Sequence, residues 1–433
     1  MSQRNVGYWP LLRHNPEFTR LWLGQLVSNL GDWFNTVAVL ALVYDLTHSG
    51  LNTGLIIIAS TLPAFLLTPY AGVVVDRFDR RKIMVLADLT RGLLALGMLL
   101  VRTTDQLWVL YLFSALLIAF ASFFGPALSS AIPNLVSSGE LISANGLSSS
   151  TWGLMLAVGA AVGGVVIAAV GRDAAFVVNS LSFFFSAVMV FSIRKSFGQS
   201  RQAHHAQAEH GTWQQFRASL TFMRTYPQVL SSVLVKTGIG FAGGVILLLT
   251  VFAQAVFRVG DAGIGWFYSA RGLGVLVGPY LARPYVGRDL IKMRRMILVS
   301  FFLAGLGYAA FSSAASFGLA VVFVILAHMC TGILWTLSST MLQLLIPDHL
   351  RGRIFAIDFG TNTVTTALST FLVGLALEQW DARVVASAMA VVFIVYAFLW
   401  GGLVWFSQRQ HPQAWTAVAP TSPTSEWSER AVD

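Results

Sequence analysis

Twelve apolar stretches of about twenty residues each run along this chain, separated by more polar loops. A helix rises about 1.5 Å per residue, so roughly 20 apolar residues cross a hydrocarbon core of about 30 Å. The chain is therefore predicted to be an all-α, polytopic membrane protein with 12 transmembrane helices. The predicted spans lie near 21–44, 52–75, 83–101, 106–128, 145–170, 174–193, 229–255, 261–282, 296–314, 317–346, 356–377 and 384–406.

Composition and charge agree with this prediction. Apolar residues make up 56% of the chain and charged residues 11%, against about 45–50% and about 25% in soluble domains. The net charge of +9 could suggest nucleic acid, but 21 of the 28 Lys and Arg residues fall in alternate loops and at the termini. Such asymmetry orients membrane proteins, so both termini are predicted to be cytoplasmic in a multi-pass protein of the cell (inner) membrane, with no nucleic-acid partner.

The longest internal polar stretch follows the sixth span and divides the chain into six plus six. Residues 1–20 are predicted to be a cytoplasmic N-terminus, 21–193 a six-helix bundle, 194–228 a cytoplasmic linker, 229–406 a second bundle and 407–433 a disordered cytoplasmic tail. Apolar residues at helical spacing predict an amphipathic helix in the linker: Trp213, Phe216, Leu220 and Met223. Duplicated halves commonly hold a substrate between them near the bilayer midplane.

The loop after the second span carries the most specific motif, Gly72-x-x-x-Asp76-Arg77-x-x-Arg80-Arg81. It resembles the loop between helices two and three of the major facilitator superfamily, and part of it recurs as Gly278-x-x-x-Ala282-Arg283. The motif predicts a cytoplasmic gate in which Gly72 lets helix ends approach, Asp76 accepts hydrogen bonds and Arg77 bridges to the other half. The alternative is that the four basic residues only enforce orientation. Asp358 is predicted as the partner of Arg77, and Glu140 as the partner of Arg283.

Further motifs are similar to one branch of that superfamily, which contains macrolide efflux pumps and the enterobactin exporter. They are Asn15-Pro16-x-Phe18-x-x-Leu21-Trp22, Gly24-Gln25-x-x-Ser28-x-x-Gly31-Asp32, Ala87-Asp88-x-x-Arg91, Ala144-Asn145 and Gln343-x-x-x-Pro347-Asp348-x-x-Arg351-Gly352-Arg353. The resemblance implies two six-helix bundles, a monomer, and export of drugs or siderophores driven by proton antiport. The chain departs from the pattern at Ala282, where an acid would stand, and at Ala160, where the antiporter motif has proline.

Polar side chains form a stripe on the first span. Asp32 lies twelve residues past Arg20, which is about 18 Å along a helix and near the membrane centre. The stripe predicts the lining of an aqueous cavity, with Asp32 in substrate or proton coupling; the alternative is a structural pair between Asp32 and a basic residue of another helix. Its members are Gln25, Ser28, Asn29, Asp32, Asn35 and Thr36.

Other ionisable residues within spans cost at least about 2.5–3.5 kcal/mol each and so need a function. Lys236 and Arg271 are predicted either to pair with Asp32 in one conformation or to hold an anionic substrate. His328 either lines the cavity or is hydrogen-bonded packing. Asp88 and Arg91, at i and i+3, are predicted to pair along their own helix in a structural role.

No sequence pattern indicates an enzyme. The chain has no phosphate-binding loop, zinc-ligand spacing or nucleophile elbow, so a transporter with no bound cofactor that ATP does not power directly is predicted. The resemblance implies that a proton gradient powers it. Its expected partners are a small-molecule substrate and membrane lipid. Export of hydrophobic drugs or siderophore-like molecules is favoured; a lysolipid flippase, a small-anion importer and a non-transporting sensor are the alternatives.

Overall fold

The structure is a computed structural model that describes residues 7–137, 139–195, 197, 212–287, 289–410, 412 and 415. Most of the predicted linker between 196 and 211, and the tail beyond 410 except residues 412 and 415, lie outside the described residues. So does the side chain of Asp76. The described residues form helices and no strand. The helices are α1 (Tyr8–His14), α2 (Pro16–Thr47), α3 (Gly50–Ala59), α4 (Leu62–Arg77), α5 (Arg80–Gly97), α6 (Leu107–Leu135), α7 (Leu141–Leu154), α8 (Ala160–Val170), α9 (Arg172–Phe191), α10 (Thr212–Thr225), α11 (Pro227–Phe241), α12 (Val245–Val251), α13 (Gly260–Val286), α14 (Leu290–Ser312), α15 (Phe317–Leu345), α16 (Asp348–Leu377) and α17 (Ala382–Gln410).

Helices occupy all twelve predicted spans. Within the described part of the chain, ten helical segments are long and apolar enough to cross a membrane. The other two spans are α13 and α16, which have 27 and 30 residues but carry several ionisable side chains. Three spans are interrupted: α3 is followed by α4, α7 by α8 and α11 by α12. The fold is therefore two six-helix bundles, as predicted.

The first span begins earlier than the predicted Leu21. The Asn15 side chain accepts a hydrogen bond from the backbone N–H of Phe18 at 3.0 Å, and Pro16 occupies the first helical position. An Asn cap followed by Pro is a favoured helix start, because the cap satisfies a free N–H and proline has none. The last span, α17, likewise continues to Gln410, past the predicted Phe406.

The interruptions in the spans lie where the backbone borders the cavity between the halves. The second span breaks at Ser60 and Thr61, just before Pro63, and both residues line the cavity. The seventh span breaks beside Ala242 and Gly243, which also line it. A π-helical turn, Met155–Gly159, separates α7 from α8. Irregular backbone is tolerated at membrane depth where it lines a cavity or is buried in protein.

The two halves touch through α8 against α13 and α3 against α16. The helix backbones meet at Gly164, where an added Cβ would lie 2.9 Å from the Cα of Gly265. At Gly374, a Cβ would lie 2.9 Å from the Cα of Leu51. The contacts of α3 with the last turns of α16, and of α8 with the first turns of α13, lie at the end of the bundle opposite the chain termini. We call this the far end, and the other the terminal end.

Candidate functional site

A cavity of about 730 Å³ lies between the two halves. Residues of both bundles line it, and most of its wall is apolar. Five of the residues predicted for substrate or proton coupling are part of the lining: Asn29, Asp32, Asn35, Arg271 and His328. Gln25 and Lys236 are not among the lining residues.

The carboxylate of Asp32 is paired with Arg91. One terminal nitrogen of Arg91 donates to both carboxylate oxygens, at 3.1 and 2.9 Å. The Asp32 side chain is 40% exposed and faces the cavity, whereas that of Arg91 is only 8% exposed. A carboxylate open to a cavity on one side and held by a buried arginine on the other can exchange a proton with the cavity.

Arg91 also contacts Asp88 of its own helix. The second terminal nitrogen of Arg91 lies 3.4 Å from an Asp88 carboxylate oxygen, as the i, i+3 spacing predicted. The guanidinium stacks over Phe183 at 3.9 Å from the ring centre. The predicted pairing along α5 is formed, and Arg91 in addition reaches across to Asp32 and lines the cavity, so its contacts extend beyond its own helix.

Lys236 and Asp358 form a second ion pair, inside the C-terminal bundle. Their side chains are 0% exposed and the Lys236 amine donates to an Asp358 oxygen. The rings of Trp335 and Phe359 lie 4.8 and 5.0 Å from the amine. In this conformation Lys236 therefore does not pair with Asp32, and the predicted Arg77–Asp358 gate pair is not formed. Asp358 points into the bundle because burying it beside a lysine compensates both charges.

Arg271 and His328 lie on the cavity wall of the C-terminal half. Among the described residues Arg271 has no hydrogen bond or ion pair, and the centre of the Tyr268 ring lies 6.0 Å from its guanidinium carbon. His328 is hydrogen-bonded instead: Nδ1 lies 3.0 Å from the Val324 carbonyl oxygen, and Nε2 lies 3.2 Å from the Tyr308 hydroxyl. His328 thus both lines the cavity and is fixed by packing.

The gate contacts predicted at the terminal end are not formed among the described residues. Arg77 and Arg283 are exposed and, within the described residues, neither forms an ion pair. A Cβ built on Gly72 has nothing within 4 Å, so the predicted close approach at Gly72 is not made here. The predicted role of Asp76 falls on a side chain outside the described part.

Two other predicted gate residues, Arg80 and Arg81, bind within their own half. Arg80 donates to the carbonyls of Ser130 and Phe197, at 3.1 and 3.0 Å. Arg81 donates to the Lys195 carbonyl at 2.9 Å. These two arginines hold the segment after the sixth span against the N-terminal bundle and do not reach the other half.

Glu140 does not pair with Arg283. Its carboxylate accepts hydrogen bonds from the backbone N–H and the hydroxyl of Ser137, both at 2.9 Å. The backbone N–H of Ser137 is the main group that holds the pKa of the Glu140 carboxyl below its usual range. The Glu140–Arg283 prediction is wrong for this conformation because the loop's own donors bind the carboxylate.

The far end carries ionic contacts that the sequence analysis missed. Arg172 of the N-terminal half donates to both oxygens of Asp261 in the C-terminal half, at 2.8 and 2.9 Å, and to Asp45 at 2.5 Å. Gln254 also donates to Asp261, at 2.8 Å. We call these four residues the far-end cluster. It ties the halves together where the cavity is closed.

A second contact joins the halves at the same end. The Glu378 carboxylate accepts hydrogen bonds from the Ser49 hydroxyl at 2.7 Å and the Leu51 N–H at 3.2 Å. With the far-end cluster, these contacts join the two halves at the far end in this conformation.

Depth along the membrane normal was the signal that could have found the missed pairs. Asp32 lies about 18 Å past Arg20, and Arg91 about 16 Å past Arg80. Both spans start from the same side, so opposite charges at matching depth were available in the sequence. Asp45, Arg172 and Asp261 likewise all fall at span ends on one side.

Two packed six-helix bundles around a central, mostly apolar cavity are the fold of the major facilitator class of membrane proteins. The structure resembles that of a bacterial homologue of the human lysosomal transporter Spinster in an inward-facing, unoccupied conformation. The TM-score is 0.70 at 14% sequence identity, and the match covers 94% of this chain and 99% of the other.

The sequence narrows the class to one family. The profile of the transmembrane secretion effector family matches residues 6–418, and the chain belongs to this family of the major facilitator superfamily. It is a transporter and not an enzyme. The superfamily recognised from its loop motif is thereby confirmed.

Several curated relatives match over most of their length. The transporter YfiS of Bacillus subtilis (strain 168) is 28% identical, covering 86% of this chain and 89% of the relative. The putative bacilysin exporter BacE of the same strain is 25% identical, covering 79% and 84%. The enterobactin exporter EntS of Escherichia coli O1:K1 / APEC is 24% identical, covering 84% and 86%.

Proposed function

We propose that this protein is a proton-coupled exporter of hydrophobic or siderophore-like small molecules that works by alternating access. The observation that carries the proposal is the Asp32 carboxylate, which faces the cavity between the halves while Arg91 holds it from behind at 2.9 Å. Protonation of Asp32 removes the charge that binds Arg91. A proton and a substrate that enter the cavity can therefore both change the contact between Asp32 and Arg91.

The contacts between the halves support alternating access. The far-end cluster and the Glu378 contacts tie the halves at one end, while Arg77 and Arg283 are exposed at the other. In the opposite state the far-end contacts separate and the terminal-end loops come together. The gate predicted at Gly72, Asp76 and Arg77 would form in that state, and the free side chains of Arg77 and Arg283 are available for it.

The cavity wall supports an apolar or aromatic substrate. Indole and phenol rings of both halves line it: Trp33, Trp152, Trp335, Tyr268 and Tyr308. Flat rings bury large areas and stack on other rings, which suits hydrophobic molecules. Two of the relatives are named as exporters, one of enterobactin and one, putatively, of bacilysin, and this favours export over import.

The remaining parts of the proposal follow the charge distribution and the family. The protein would be a monomer in the inner membrane with both termini in the cytoplasm, as the excess of basic residues in alternate loops favours. In that orientation the terminal end is cytoplasmic, and the observed cavity is the one that takes substrate from the cell interior.

A small-anion importer is the second candidate, and one observation favours it: Arg271 faces the cavity without an ionic partner among the described residues. An importer would bind its substrate from the far end. Direction of transport separates the two proposals.

Inverted membrane vesicles test the function directly. A proton gradient, acid inside, should drive uptake of an exported dye or siderophore, and dissipating the gradient should stop it. Asp32→Asn should abolish gradient-driven uptake while the purified variant keeps its unfolding temperature within a few degrees. Undiminished gradient-driven uptake by a folded Asp32→Asn variant would remove Asp32 from the mechanism.

A further inference from the structure

Arg271 lies in the wall of the cavity, and packing fixes its helix. The next residue, Gly272, is in contact with α8 and its π-helical turn: an added Cβ would lie 2.6 Å from the backbone nitrogen of Ala157. On another face of α13, a Cβ on Gly274 would lie 2.5 Å from the Ile325 carbonyl oxygen of α15. Because α13 is held between two helices, the position of Arg271 does not depend on a mobile loop.

The charge of Arg271 is not neutralised within the described part of the chain. The charged residues that line the cavity are Asp32, Arg91 and Arg271. Asp32 and Arg91 are bound to each other, whereas Arg271 has no carboxylate within ion-pair distance. An unpaired guanidinium near the middle of a membrane span is costly, and such groups mark substrate or ion sites.

The neighbours of Arg271 carry no negative charge. Since a carbonyl oxygen only accepts, the Nδ1 of His328 must donate to Val324. In a neutral imidazole protonated at Nδ1, Nε2 accepts from the hydroxyl of Tyr308. This arrangement describes a neutral imidazole and a neutral phenol, so neither side chain serves as the counter-ion of Arg271.

An apolar surface adjoins the charge. Tyr268, whose ring is 6.0 Å from the Arg271 guanidinium, lies 6.1 Å from the Trp33 ring of the opposite half. Trp335 also lines the cavity. A guanidinium beside aromatic rings fits a ligand with an oxyanion at one end and a flat or apolar body at the other.

We propose that Arg271 binds the anionic group of the transported molecule, so that the substrates are amphiphilic oxyanions such as aromatic carboxylates or alkyl phosphates. This inference deepens the proposed function and rests on it in one respect, namely that the bound anion is a transported substrate. The binding itself requires no gradient. It predicts that affinity depends on the charge of the ligand's head group more than on its apolar body.

Matched probes test the assignment on the full-length protein in nanodiscs of zwitterionic lipid. Equilibrium dialysis would compare 2-naphthoate with 2-naphthamide and 2-naphthylmethylammonium, which share one ring system. A single-chain alkyl phosphate separates a lipid-like oxyanion from an aromatic acid. We expect the wild-type protein to bind naphthoate at least about tenfold more tightly than the amide, and the ammonium probe most weakly.

Two variants at Arg271 and one matched control complete the design. Arg271→Gln should bind naphthoate and naphthamide equally, with amide binding retained as evidence of folding. Arg271→Lys should keep part of the preference, because an ammonium provides charge without the planar fork. Arg102→Gln, which removes the same charge from an exposed pair with Asp173, should bind like the wild type.

Three results would overturn the proposal. They are equal affinity of the wild type for naphthoate and naphthamide, an unchanged preference in Arg271→Gln that still binds the amide, and an equal loss in Arg102→Gln. If the alkyl phosphate binds more tightly than naphthoate and this binding is lost in Arg271→Gln, the oxyanion is assigned to a lipid-like source. Failure of proton-driven uptake with this binding pattern intact would count against the proposed coupling and not against Arg271.

Discussion

Arg91 and Asp32, 59 residues apart in the chain, are joined by two hydrogen bonds from a single guanidinium nitrogen, at 2.9 and 3.1 Å. Because Asp32 faces the cavity and Arg91 is buried behind it, any ligand or proton that reaches Asp32 also changes the environment of Arg91. The pair lies within the N-terminal half. Binding in the cavity at Asp32 can therefore affect the helix packing around Arg91 within one bundle.

Arg91→Gln is expected to lower gradient-driven transport by about tenfold or more, since it removes the group that positions Asp32. Arg91→Lys should retain part of it, because lysine restores the charge but not the two-armed geometry. Initial uptake rates in inverted vesicles would measure both. As a control, Arg102→Gln removes the same charge from an exposed pair with Asp173 and should transport normally. If Arg91→Gln transports as well as this control, Arg91 has only a packing role.

The Lys236–Asp358 pair predicts a strong dependence of stability on charge balance. Lys236→Met or Asp358→Asn alone leaves a buried charge without its partner and should destabilise the protein by about 3–5 kcal/mol. The double variant Lys236→Met with Asp358→Leu should recover most of that loss, because no charge remains buried. Thermal unfolding of the purified variants would show it. A double variant less stable than both single variants would mean that the two side chains stabilise the protein by more than compensating each other's charge.

The far-end cluster predicts a shift between conformations. Arg172→Gln removes the contacts to Asp45 and Asp261, so the state open at the far end should become more populated. Accessibility would be read from a cysteine at Asn35 in the cavity, with the single native Cys330 replaced by serine, using an impermeant maleimide added from the far side. Labelling should rise several-fold in Arg172→Gln and stay at the starting level in Arg102→Gln. Equal labelling in both would show that other contacts hold the far end shut.

Glu140 predicts a small acid-dependent contribution to stability. The Ser137 backbone N–H lowers the pKa of this carboxyl in the folded state, so its stabilising effect is present at neutral pH. The effect is lost as pH falls from the usual carboxyl value, about 4.3, through the lowered folded value. Glu140→Gln should therefore cost less than about 1 kcal/mol at pH 7, since the group is solvent-screened. Unfolding temperatures from pH 7 to pH 3 would test this, and a difference that grows toward acid would contradict it.

The site was only partly predictable from the sequence, and the reason is geometric. The stripe on the first span placed Asn29, Asp32 and Asn35 on one face, and all three line the cavity. Lys236 and Arg271 of the other half were named as possible partners of Asp32. Its partner is Arg91 of its own half, which matches the alternative of a pair with a basic residue of another helix. Gln25, one turn earlier than Asn29, is not among the lining residues.

Hydropathy along the chain determined the spans, their number and the depth of each buried charge, because helix rise converts sequence distance directly into distance across the membrane. The lateral order of the helices and their rotation are not local properties. Only packing in three dimensions decided that Arg91 meets Asp32, that Lys236 meets Asp358, and that Arg172 closes the far end. The same packing decided that, among the described residues, Arg77 has no ion-pair partner in this conformation, because Asp358 is bound by Lys236.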